Sequence, residues 1–143
     1  MNTFELEITK TIPATVSVVF EAWLDPNALA KFMLPMDGMT AEAKADAQEG
    51  GEYLVVMKAG DQELPHHGIY KTIDKYSKLA FTWNNPFNET ESLVTLSFAE
   101  TDSGETQLTL HHSGLPSEES RDNHQGGWTR IADTLEAVVS AAS

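Results

Sequence analysis

Five histidines, His66, His67, His111, His112 and His124, are the side chains best suited to proton transfer or metal ligation near neutral pH. Adjacent residues of a strand point to opposite faces, so neither His-His pair can grip one metal from one side. With no cysteine and no His-x-x-x-His spacing, the ligand pattern for a metal is poor, and no metal site is expected. Most of these rings read as solvated or singly hydrogen-bonded. His112 is the exception, because it follows Leu108 and Leu110 at strand period and shares their apolar face. His124 lies one helical turn before Trp128 on the same face. These two histidines are the leading candidates for polar groups inside the fold.

Other catalytic patterns are missing. There is no Gly-x-Ser-x-Gly elbow, no phosphate loop and no dinucleotide fingerprint. The carboxylates alternate outward on strands or fall in turns, which reads as a solvated face. No catalytic residue and no cofactor are therefore assigned. Tyr53, Tyr70, Phe81, Trp83, Phe98 and Trp128 fall at positions that can share one concave side. The plain reading is core. Tyr and Trp nevertheless carry polar tips that want partners when buried, and beside Met57 and His112 they resemble a ligand pocket, mostly apolar with a few orienting groups. The expected cavity-lining set is Tyr53, Met57, Tyr70, Phe81, Trp83, His112, His124 and Trp128. Met33, Met36 and Met39 are either loop packing or an adaptable apolar rim to that cavity.

Composition narrows the partners. The chain has 143 residues, with 9 Lys and Arg against 22 Asp and Glu, a formal charge of -13. That length predicts one domain over residues 1–143. The nine basic residues form no cluster, so no nucleic acid or anionic membrane surface is expected as a partner. Absence of cysteine removes disulfides and thiolate chemistry. Met1-Asn2-Thr3-Phe4-Glu5 shows neither a basic nor an apolar leader region, and no run reaches the length of a membrane span. A cytoplasmic protein with no membrane insertion is the expectation. Asn88-Glu89-Thr90 matches a glycosylation sequon, read here as chance.

Those candidate residues need elements to hold them. Phe4, Leu6 and Ile8 alternate with polar residues as a half-buried strand. Val16, Val19, Phe20 and Trp23 predict a short helix over about residues 15–24. Asp25-Pro26 then caps and starts a second short helix with Ala28, Leu29 and Phe32 inward. From Met39 to about Ser113 the period is two. Strands are expected over about 40–47, around Tyr53–Met57, over 66–73, 79–83 and 93–98, and over 106–112, with turns at Gly60-Asp61 and Asp102-Ser103-Gly104 and a polar loop at 84–88. Gly114-Leu115-Pro116-Ser117 ends the pattern. Ser117 with Glu118 and Glu119 opens a long helix from about Ser117 to Ala141, with Trp128, Ile131, Leu135, Val138 and Val139 on one face.

A sheet of about seven antiparallel strands with one long helix to cover it must curl around that helix. Gly126-Gly127, inside the helix, implies either a kink or close packing, or else missing side chains that enlarge a cavity against the sheet. The fold class is α+β.

Particular stretches resemble a known group. Ile12-Pro13-Ala14, Val19-Phe20-Glu21-Ala22-Trp23 and Asp25-Pro26 are similar to the opening motif of the Aha-type family. These are homologues of the C-terminal domain of the activator of heat-shock protein 90 ATPase, in the START-like (SRPBCC) helix-grip superfamily. Gly50-Gly51-Glu52-Tyr53, Gly68-Ile69-Tyr70, Leu79-Ala80-Phe81-Thr82-Trp83, and His111-His112-Ser113-Gly114-Leu115-Pro116 followed by His124 and Gly127-Trp128 continue the resemblance over essentially the whole chain. It implies a curved sheet gripping a C-terminal helix around an apolar cavity. Superfamily relatives bind lipids, sterols, hormones or polyketides, and some cyclise polyketides, so fold alone decides little. The first reading is non-catalytic binding of a small apolar or aromatic ligand. The alternative is a protein-binding, co-chaperone-like module with an unknown protein partner. A cyclase-like enzyme using His112 or His124 is third.

Overall fold

The computed structural model describes residues 4–34, 38–84 and 92–142. Strand β1 (Phe4–Ile12) is followed by two short helices, α1 (Val16–Ala22) and α2 (Pro26–Phe32). Six strands come next: β2 (Thr40–Ala45), β3 (Glu52–Ala59), β4 (Gln62–Asp74), β5 (Lys78–Trp83), β6 (Ser92–Glu100) and β7 (Thr106–Leu115). The long helix α3 (Glu118–Ala142) ends the fold.

The strands form one seven-stranded sheet in the order β1-β7-β6-β5-β4-β3-β2. Every pairing is antiparallel. Six consecutive strands therefore make a meander, and the first strand closes onto the last. Gly60 and Gly104 take positive φ at the β3–β4 and β6–β7 turns, a conformation open to glycine at little steric cost. Bulges between Phe4 and Leu6 and between Tyr70 and Thr72 bend the sheet. The curved sheet with its long helix is the helix-grip arrangement that the resemblance implied.

Alternation selects the inner face. Tyr53, Val55 and Met57 of β3, Leu79, Phe81 and Trp83 of β5, Val94, Leu96 and Phe98 of β6, and Leu108, Leu110 and His112 of β7 are all buried. Trp128, Ile131, Leu135 and Val139 of α3 are buried too, at the spacing of one helical face. Helix α3 packs along β1 and against α2. Lys10 Nζ reaches Asp133 Oδ1 at 2.8 Å across the β1–α3 seam. Asp133 is largely exposed, so that pair adds less than about 1 kcal/mol.

Helix ends follow their caps. Asp25 Oδ1 accepts from Asn27 N at 2.9 Å, and Pro26 occupies the first helical position, as the sequence predicts. Ser117 Oγ accepts from Ser120 N at 3.0 Å ahead of α3. Several bounds differ from expectation. The first helix spans Val16–Ala22 rather than 15–24, and β2 ends at Ala45 rather than 47. β7 runs through Gly114 to Leu115, because Leu115 pairs with Phe4. β4 starts at Gln62, four residues early, and includes Pro65. Pro65 pairs with Val56 of β3, in the half of β4 that precedes its ladder with β5, so its missing N–H costs no ladder bond there.

Of the expectations for the helix glycines, close packing and an enlarged cavity against the sheet do not fit Gly126. A Cβ there meets nothing within 4 Å, so Gly126 faces open space rather than a tight contact or the sheet. Met33 and Met39 are buried at 2% and 7% exposure, which makes them core rather than an exposed rim. Met36, the sequon and residues 85–88 of the expected loop lie outside the described residues.

Candidate functional site

The inner face carries a continuous row of rings. Tyr70 and Tyr53 lie 5.5 Å apart between centroids, Tyr53 and Trp83 6.5 Å, and Trp83 and Trp128 4.8 Å. Trp128 lies 6.0 Å from His112, and His112 lies 5.0 Å from His124. Phe81 stands edge-on to Tyr53 at 5.5 Å. The row crosses β4, β3, β5 and β7 and ends on α3, because each strand residue has the inward parity and His124 and Trp128 are one turn apart. Seven of the eight expected residues are thus in one chain of contacts. Met57, the eighth, is buried on the same face of β3 as Tyr53.

The polar groups in that row have definite partners. Trp128 Nε1 donates to His112 Nδ1 at 3.0 Å. Since an indole N–H can only donate, Nδ1 is the acceptor and the His112 proton sits on Nε2. Nε2 then donates to Ser92 Oγ at 2.8 Å, and Ser92 Oγ donates to Trp83 O at 2.7 Å. Four residues form a one-way relay with no lone pair or proton of the imidazole to spare. Burial first, then the nearby His124 and His111, push the His112 pKa down to about 3. His112 is a neutral, fully engaged ring.

Two further histidines flank this relay. His66, one of the rings expected to be solvated or singly hydrogen-bonded, is buried with a single hydrogen bond and lies 4.8 Å from Trp83 between ring centroids. Its parity with Tyr70 on β4 carried the signal. Burial holds its pKa down to about 4, against the raising effect of its Nδ1 bond to Leu64 O at 2.9 Å, with His124 and His67 adding to the depression. His124 is half-buried and its Nδ1 donates to Ser120 O at 2.7 Å. His111 points outward to Glu5 at 3.3 Å, so the opposite-face argument for that pair holds. None of the three inward histidines bonds a carboxylate among the described residues, and no group of three or more metal-ligating side chains forms there.

Trp23, which helical spacing and the opening motif single out without marking it as a site residue, also joins the rings. It caps the C-terminus of α1 and stands 4.9 Å from Phe32, 6.4 Å from Phe81 and 6.4 Å from Trp128. The short helices, the sheet and the long helix therefore each contribute one tryptophan to a single cluster. Trp23 Nε1 and Trp83 Nε1 are buried with no hydrogen-bond partner among the described residues. Tyr53, by contrast, donates its hydroxyl to Thr82 O, and burial followed by nearby Tyr70 raises its pKa well above the usual phenol value.

A separate open groove of about 480 Å³ lies on the outer face of β4–β7. Its walls include Lys71, Thr72, Lys78, Ala80, Thr82, Thr95 and Ser113. Ile69 and Leu93, the large apolar side chains exposed on this face, are each 36% exposed.

Comparison with known proteins follows the same architecture. The family model described as Activator of Hsp90 ATPase homolog 1-like protein matches residues 13–140. The crystal structure of CV1439 from Chromobacterium violaceum is similar at 26% identity with a TM-score of 0.82, covering 97% of this chain and 98% of that one. SA2116 from Staphylococcus aureus, a protein of unknown function, has a TM-score of 0.87 at 22% identity over 99% and 96% of the two chains. An AHSA1-like protein from Aeromonas hydrophila, solved by NMR, has a TM-score of 0.81 at 22% identity over 97% and 94%. At 22% identity, the latter two speak for the fold alone. No curated protein matches the chain significantly. No helix among the described residues is long and apolar enough to cross a membrane.

Proposed function

Because the chain belongs to the Activator of Hsp90 ATPase homolog 1-like family, we propose that it binds a small apolar or aromatic molecule, without catalysis, between the inner face of the sheet and α3. The observation that carries this reading is the unbroken row of rings from Tyr70 to half-buried His124. Such a row is mostly apolar and ends in a polar tip near solvent, the composition that favours small-molecule sites. Tyr53, Tyr70, Phe81, Met57, Trp83 and Trp128 would form the apolar walls. His124 would orient the ligand through Nε2. His112, with both nitrogens engaged, would hold Trp128 in place rather than touch the ligand.

Native mass spectrometry of freshly purified protein tests the reading. The expected result is a non-covalent mass adduct that disappears on denaturation, or uptake of aromatic compounds by the bare protein. A bare mass, together with no uptake from an aromatic library at millimolar concentration, contradicts it.

A protein-binding role is the second reading, and the outer face favours it. Ile69 and Leu93 are exposed there beside the groove that Lys71 and Lys78 help to line. Charge reversal at Lys71 and Lys78 would weaken such a partner while leaving small-molecule uptake unchanged.

A further inference from the structure

Three indoles meet where the short helices, the sheet and α3 converge, yet they are treated differently. Trp128 hands its N–H to His112, and the bond is relayed to Ser92 and the Trp83 carbonyl. Trp23 and Trp83 each lie against the Trp128 ring, at 6.4 Å and 4.8 Å between centroids, and each buries an N–H that finds no acceptor among the described residues. These side chains are 2% and 3% exposed, so bulk water does not satisfy them. A buried donor left unpaired is a rare and costly feature. The same cluster supplies a complete relay for one indole, so the lack of acceptors beside the other two is specific to their positions.

An indole N–H can only donate. A hydrocarbon would leave both groups stranded, and a ligand offering only donors would add to the conflict. The geometry points to a ligand that is aromatic in body but carries an acceptor oxygen, a ketone, quinone or ether, received by the N–H groups of Trp23 and Trp83. This deepens the small-molecule reading and rests on it. Access comes by displacement of the α1 end. Helix α1 is seven residues long with no side-chain hydrogen bond at its N-cap, so it depends on tertiary packing, and Trp23 sits at its C-terminus. Movement of Trp23 would free its own N–H and uncover the Phe81 and Trp128 rings that it lies against, Trp128 being the ring that also packs on Trp83.

Fluorene and fluorenone provide the test, since they share a ring skeleton and differ in one acceptor oxygen. Equilibrium dialysis against the parent protein, W23F, W83F and the W23F/W83F double variant gives the ratio of the two affinities in each. Comparing two ligands within one variant removes any general loosening of the core, because that affects both probes alike, and a cooperative melting transition verifies that each variant is folded. Fluorenone is expected to bind the parent about tenfold more tightly than fluorene, with the ratio falling toward unity in the double variant and in at least one single variant. Equal binding of both probes to the parent, or a ratio that survives in the double variant, overturns the inference and leaves the small-molecule reading standing. Retention of neither probe overturns both.

Discussion

The indole N–H of Trp128 and Nδ1 of His112 lie 3.0 Å apart and join α3 to β7 through a bond whose direction is fixed by the chemistry of the donor. Replacing His112 by Leu strands that N–H in the core, and the expected cost is about 1–3 kcal/mol. W128F strands the imidazole acceptor instead. Denaturant melts of the two single variants and the double should show a coupling of about 1 kcal/mol. Additive single losses would mean that the bond does not hold the two elements together.

His124 should behave differently. It is half-buried, and its hydrogen-bond partners among the described residues are the carbonyl and, more distantly, the hydroxyl of Ser120 on its own helix. H124L is expected to melt within about 0.5 kcal/mol of the parent, while affinity for a bound aromatic compound falls about fivefold to tenfold. Parent-like affinity in H124L would remove this residue from the site.

Stability should fall as pH drops below about 6.5, the ordinary histidine value. His66 and His112 have folded-state pKa values pushed down to about 4 and about 3, while the unfolded chain protonates near 6.5. The unfolded state therefore binds more protons between these limits, so the contribution is complete above 6.5 and is lost as pH falls toward the folded values. At pH 5 the loss is about 2 kcal/mol per histidine. The facing titratable groups are His124 for both rings, with His67 beside His66 and His111 beside His112. Chemical melts at pH 7 and pH 5 give the slope, and it should be shallower in H112L. A flat profile over that range contradicts the neutral assignment of both rings.

The two glycines Gly126 and Gly68 should respond in opposite ways to alanine. Gly126 faces open space within a helix, so G126A is expected to stabilise by up to about 1 kcal/mol. A Cβ on Gly68 would overlap the backbone oxygen of Thr82, an atom that cannot move cheaply, and G68A is expected to lose about 3 kcal/mol. Thermal or denaturant melts of the two variants distinguish these signs.

Most of the fold was legible because each element states its period. Leu108, Leu110 and His112 alternate inward, and Trp128, Ile131, Leu135 and Val139 recur at helical spacing, so face and type follow together. The register was not legible. That Leu115 pairs with Phe4, which draws β7 past Gly114, depends on a partner more than a hundred residues away. The inward placement of His112 and its nearness to His124 could be read from parity and from the one-turn offset to Trp128. Its hydrogen-bond partners could not, because Ser92 reaches His112 only through the pairing of β6 with β7. His66 was within reach of the same parity rule through Tyr70. Trp23 was not recognisable as part of the site, since its helix periodicity is equally that of a core residue, and its unpaired N–H is a property of the assembled cluster.

The side-chain region of a proton–nitrogen correlation spectrum tests the binding account most directly, because the chain has three tryptophans and each gives one indole N–H signal. Titration with fluorenone is predicted to move the Trp23 and Trp83 signals downfield as they gain an acceptor, while the Trp128 signal, already donated to His112, shifts least. Saturable binding that leaves the Trp23 and Trp83 signals in place, with shifts confined to amides of the outer face, would contradict it.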